Sequence, residues 1–209
     1  MIVIIFGVAF AYIEAAVVVY LRTIFHPDGF SFPLTVFGLT PLAKQILAVE
    51  IGREAATLVL ISTGAWLFGR GIARRCAYFL TIFATWDIFY YVWLKVLINW
   101  PSSIMEWDIL FLIPTVWAGP VLAPVLISII LLGFAIIILY RDSQARPFRV
   151  TMTDGVVLLL AGAAVAVSFC IAGLSASKPD FRSHFYWLLF ACGNLGAIAI
   201  LLKCLLQSK

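Results

Sequence analysis

The chain has 209 residues, 64% hydrophobic and 11% charged, with a mean hydropathy of +1.11 and a formal net charge of +4. Soluble domains carry about 25% charged residues, so a water-exposed globular fold is excluded and lipid must be the solvent for much of the surface. The basic excess reads as membrane topology, because no aromatic-interleaved basic patch points to nucleic acid.

Apolar runs follow one another along the chain: Ile2–Leu21, Lys44–Phe68, Ile72–Ile98, Val116–Tyr140, Gly155–Leu174 and His184–Leu206. A transmembrane helix needs about 20 such residues, so about six spans are predicted. The expected fold is an all-α integral membrane bundle forming one transmembrane domain over residues 1–209. The first run has no Lys or Arg before it. Ala9-Phe10-Ala11 only weakly imitates a cleavage site, so a retained helix is expected there.

Pro, Gly and charge mark the breaks: His26-Pro27-Asp28-Gly29, Gly69-Arg70-Gly71, Asn99-Trp100-Pro101, Arg141 to Arg149, and Ser177-Lys178-Pro179-Asp180. Thr151-x-x-Asp154 and Ser103-x-x-Glu106 resemble capping boxes at helix starts. The segment near residues 101–114 is too short and punctuated to span. It is expected as a short interfacial helix anchored by Trp100, Trp107 and Trp117, with a re-entrant segment as the alternative.

Arg70, Arg74, Arg75, Arg141, Arg146, Arg149, Lys203 and Lys209 fall on one side. Arg22, Lys44, Lys95, Lys178 and Arg182 share the other with Asp28, Glu106, Asp108 and Asp180. This asymmetry predicts a multi-pass protein of the plasma (cytoplasmic) membrane with both termini cytoplasmic. Arg22 and Lys95, near helix ends, are expected to snorkel to the headgroups.

Five charged residues fall inside the spans: Glu14, Glu50, Arg53, Glu54 and Asp87. A charge at the bilayer centre costs about 2.5–3.5 kcal/mol on insertion scales, so each needs a partner or a purpose. Glu50, Arg53 and Glu54 share one helical face, continued by Thr57 and Gly64. Asp87, Tyr91 and Lys95 form a second stripe, and Glu14 sits among Gly7, Ala11 and Ala15, which allow close helix approach. The expected result is one acidic pocket in the outer half of the bundle, open outward, with Ser168 and Asn194 as polar partners. Four acids against Arg53 need either protons or a cation. Pro120 and Pro124, if inside the fourth helix, would free the carbonyls of Val116 and Pro120 for it. The competing reading is structural: Arg53 pairs with Glu50 or Glu54 and with Asp87 and sets helix register. The Trp86, Tyr90, Trp93 stripe is expected to pack or to face lipid rather than to hold a cofactor.

No cofactor is predicted. With only His26 and His184, neither paired haem ligands nor a His-rich zinc or di-iron site is expected, and a hard cation suits carboxylates better. Cys76, Cys170, Cys192 and Cys204 lack ligand spacing and read as small apolar fillers, a Cys170–Cys192 disulfide being conceivable. No catalytic residue or metal site is assigned, and the sequence leaves open whether the chain is an enzyme. Glu14, Glu50, Arg53, Glu54, Asp87, Tyr91 and Asn194 are the candidate ligand- or ion-binding residues. They favour transport of a cation or of a proton-coupled solute. The alternatives are a non-catalytic subunit of a membrane complex and a membrane-embedded enzyme acting on a lipid or isoprenoid. The partners expected are membrane lipids, a cation or small solute, and other membrane subunits.

Overall fold

The computed structural model describes residues 1–27, 29–34, 41–145 and 150–206. Asp28, Arg146, Arg149 and Lys209, which entered the charge asymmetry, lie outside the described residues. The helices are α1 (Ile2–Phe25), α2 (Pro41–Phe68), α3 (Ile72–Ile98), α4 (Leu122–Ser143), α5 (Met152–Leu174) and α6 (Trp187–Leu206). Among the described residues, α1, α3, α4, α5 and the stretch containing α6 are long and apolar enough to cross a membrane. The remaining helix, α2, carries Lys44, Glu50, Arg53 and Glu54, but its 28 residues reach about 42 Å at 1.5 Å per residue. The chain is a multi-pass helical membrane bundle.

Local chemistry sets the helix limits. Gly71, at φ 82°, precedes α3, and Asn99 ends it in the left-handed conformation that Asn tolerates. Thr151 and Asp154 form the expected reciprocal capping box at the start of α5. Pro120 and Pro124 do not both sit inside the fourth helix. Pro120 closes a strand and Pro124 lies in the first turn of α4, where a missing N–H costs nothing, so neither frees a carbonyl.

Helix α3 packs against α1, α2 and α4, while α6 joins α4 to α5. The close approach of α1 to α3 rests on Gly7, Ala11 and Ala15, all buried. A Cβ on Gly7 would lie 3.0 Å from Thr85 Cβ. The outward faces are apolar, with Ile13, Val59 and Leu160 all exposed. This arrangement suits lipid, which imposes no penalty on exposed hydrocarbon.

The segment between α3 and α4 departs from expectation. It is a β-hairpin of β1 (Trp107–Phe111) and β2 (Trp117–Pro120), pairing Trp107 with Pro120 and Asp108 with Gly119. Its turn reaches inward to Glu54, 13 residues along α2 from Pro41, or about 20 Å. Backbone at that depth has to be satisfied inside the protein, and a hairpin ladder does this where a frayed short helix would not. Glu106 does not cap a helix. Its carboxylate accepts from the Ser102 N–H at 2.9 Å and from the Ser102 hydroxyl, closing a turn. The tryptophans expected as interfacial anchors are packed instead. Trp107 is buried, and Trp117 stacks on Phe169 of α5 at 5.9 Å.

The aromatic core at this end joins Trp107, Phe169, Phe181, Phe185 and Phe190. All four cysteines are free. A Cβ on Gly173 would fall 1.8 Å from the Val116 carbonyl oxygen, so only glycine lets the hairpin seat against α5. Gly173→Ala is therefore expected to destabilise the fold by about 1–3 kcal/mol. Gly155→Ala, with nothing within 4 Å, should be neutral. Thermal unfolding in detergent checks this, and equal midpoints for the two variants would refute the seating.

Candidate functional site

Arg53 organises the charged residues of α1 and α2. Its Nη1 donates to Glu14 Oε1, and its Nε and Nη2 each lie 2.7 Å from Glu50 Oε2. The Thr57 hydroxyl donates to the other Glu14 oxygen at 3.3 Å. Glu54, on the same face, accepts the Leu112 N–H from the hairpin turn at 2.8 Å. Along α2 the buried stripe is therefore polar from Glu50 to Thr57 and apolar from Ile61 to Ala65.

Asp87 stands apart from this network. Its Oδ2 accepts from Ser128 Oγ at 2.8 Å, and among the described residues no Lys, Arg or His pairs with it. The structural reading is thus met in part: Arg53 forms ion pairs with Glu14 and Glu50, while among the described residues Glu54 and Asp87 form none.

Two cavities flank the network. One, of about 160 Å³, lies between α1 and α2 and is lined by Leu21, Phe25, Ile46 and Leu47 together with Arg22, His26, Glu50 and Asp108. The other, of about 190 Å³, lies deeper among α3, α4, α5 and the hairpin. Its lining includes Glu14, Asp87, Tyr91, Ser128 and the rings of Phe83, Trp86, Phe111, Trp117 and Phe169. Val18, Arg53, Glu54, Tyr90 and Ile109 border both cavities and form the partition between them.

Glu14, Glu54 and Asp87 lie 11, 13 and 11 residues from the hairpin-end termini of their helices, Phe25, Pro41 and Ile98, close to the helix midpoints and on their hairpin side. The expected single pocket is two chambers meeting at Arg53 and Glu54.

Other polar residues find local partners. Asn194 donates to the Phe190 carbonyl of its own helix, Ser168 donates to Ala164, and neither lines these two cavities. Lys95 binds the carbonyls of Asn99 and Pro101 at 3.4 and 3.0 Å. Trp93 donates to the Val8 carbonyl and packs with Tyr12, so the aromatic stripe serves helix packing at this position.

Arg22 does not snorkel. It pairs with buried Asp108 at 2.9 Å, and its guanidinium carbon lies 3.8 Å from the Trp100 ring centre and 4.2 Å from that of Phe30. Tyr90 donates to the other Asp108 oxygen at 3.2 Å. Sequence reasoning assigned Asp108 to an exposed loop. The one available signal was its place in the short apolar run from Trp107 to Ile113. Among the described residues no set of three His, Cys, Asp or Glu side chains could hold a metal ion. No protein-family model, curated protein or solved structure matches the chain.

Removing Arg53 would leave Glu14 and Glu50 facing one another without a counter-charge. Arg53→Gln is expected to cost about 3 kcal/mol, and adding Glu14→Gln should recover part of the loss. Unfolding in a detergent titration measures both. A loss below about 1 kcal/mol would show that Arg53 does not organise the site.

Burial, opposed by Arg22, holds the Asp108 carboxyl above the ordinary aspartate range. The folded chain then binds this proton more tightly than the unfolded one. Asp108's contribution to stability is present below the unfolded value and is lost as pH rises through the folded value. Stability should fall with pH upward from about pH 4, and Asp108→Asn should abolish that component. An unchanged slope in the variant would contradict the assignment.

Proposed function

We propose that this protein binds a cation, or protons coupled to a solute, in the acidic chamber between its helices, and that it serves in transport. The observation that carries the proposal is the excess of carboxylates in the two adjoining cavities. Among the described residues that line them, Glu14, Glu50, Glu54, Asp87 and Asp108 stand against Arg53, Arg22 and His26. In low dielectric such a surplus requires neutralisation by protons or a bound cation. Intramembrane acids that line a cavity are the usual markers of such a path.

Glu54, which lines both cavities, supports the reading as a residue that a solute passing between them would meet. Orientation follows from charge: the end bearing Arg70, Arg74, Arg75 and Lys203 faces the cytoplasm of a plasma membrane, and the hairpin end faces away. The size of the cavities supports transport over lipid chemistry. A cavity of about 150 Å³ holds benzene, so chambers of about 160 and 190 Å³ fit a small solute.

In proteoliposomes the wild-type chain is expected to move protons or an alkali cation. Glu54→Gln and Asp87→Asn should each reduce the flux by about tenfold or more, equivalent to about 1.4 kcal/mol. Flux unchanged in both variants would reject the proposal.

A further inference from the structure

The second cavity combines features that the transport reading does not itself require. Asp87 presents a carboxylate there whose hydrogen-bond partner among the described residues is the neutral Ser128 hydroxyl. Around it the lining is aromatic, with Phe83, Trp86, Tyr91, Phe111 and Trp117 contributing rings. Trp86 is 6% exposed, and its indole Nε1, like that of Trp117, is buried without a hydrogen-bond partner among the described residues.

A hard metal ion is poorly served by this set. Such ions take six or more oxygens at about 2.0–2.6 Å, whereas among the described residues no three acidic side chains converge: Glu14 and Glu54 line the cavity beside the Arg53 guanidinium, and ring faces surround Asp87 and Ser128. Ring faces instead attract a diffuse, weakly hydrated positive charge, most strongly for Trp and once water is excluded. A carboxylate beside such rings supplies the opposing charge. The volume of about 190 Å³ admits a molecule only a few atoms larger than benzene.

We propose that the second cavity is a binding site for a small alkylammonium cation, held by Asp87 and the surrounding aromatic side chains, with Trp86 foremost. This rests on the reading of the acidic chamber as a cation site and names the chemical class it takes.

The test uses the full chain in lipid nanodiscs, titrated calorimetrically with tetramethylammonium, choline and ethylammonium, and with sodium and potassium at constant ionic strength. At least one ammonium probe should bind saturably, about tenfold or more tighter than either alkali cation. Asp87→Asn should weaken that binding by about tenfold or more, and Trp86→Leu by several-fold. Asp142→Asn, which alters an exposed pair with Arg74 at the opposite end, should leave it unchanged. If Asp87→Asn does not purify as a single species, Asp87→Glu replaces it, with several-fold weakening expected from the misplaced carboxylate.

The absence of saturable ammonium binding overturns the inference. So does binding that the Asp87 and Trp86 variants leave intact, or alkali cations binding as tightly. The two proposals fail separately. Alkali or proton flux that depends on Asp87 without ammonium binding would keep transport and remove this site. Ammonium binding that depends on Asp87 without any flux would keep the site and remove transport.

Discussion

A guanidinium halfway along a helix in apolar surroundings has to be compensated, and much of this bundle follows from how Arg53 is compensated. Its fork reaches Glu50 one turn away on α2 and Glu14 across on α1. The link is ionic at this level, with Phe6 of α1 packed on Phe68 of α2 towards the other end, and the space left between the outer parts of α1 and α2 is the first cavity. The cost of desolvating three charges is offset only because each is matched and hydrogen-bonded, Glu14 by Thr57 as well. Such networks favour one arrangement over its neighbours, because a helix slipped by a turn would strand a charge in hydrocarbon.

The hairpin answers the same constraint from the side of the backbone. Irregular chain can enter the interior of a membrane protein only where its amides and carbonyls are paired within the protein. Most of that pairing comes from the ladder between Trp107–Phe111 and Trp117–Pro120, and Glu54 receives the Leu112 amide at the turn. A second ion pair, Arg22 with Asp108, fastens the strand to α1 beneath the rings of Phe30 and Trp100. The hairpin thereby supplies a wall to both cavities, and the site exists because this segment folds inward.

These two devices leave a chamber with an uneven charge distribution. The matched acids, Glu14, Glu50 and Asp108, hold the architecture, whereas among the described residues Glu54 accepts from an amide and Asp87 from a hydroxyl, neither in an ion pair. Matched carboxylates set geometry, and unmatched ones are available for a ligand. Asp87 combines that availability with an aromatic surround, which separates it from Glu54 at the partition.

Much of the architecture was legible in the residues themselves. Long apolar runs allow one outcome in lipid, since every backbone group must bond within its own segment, so the spans and their approximate limits follow from composition. The shared face of Glu50, Arg53 and Glu54 was readable from helical spacing, as was the role of Gly7, Ala11 and Ala15 in close packing. The hairpin was not, because Trp107–Phe111 has no helical period and too few residues to show a strand pattern against a uniformly apolar background. Asp108 was misplaced for the same reason, and Pro120 because the fourth span begins at Leu122, after the strand. Which acids are matched was decided only by tertiary structure. Ion pairing depends on distances between helices, and those are set by packing across the bundle, about which spacing along a single helix carries no information.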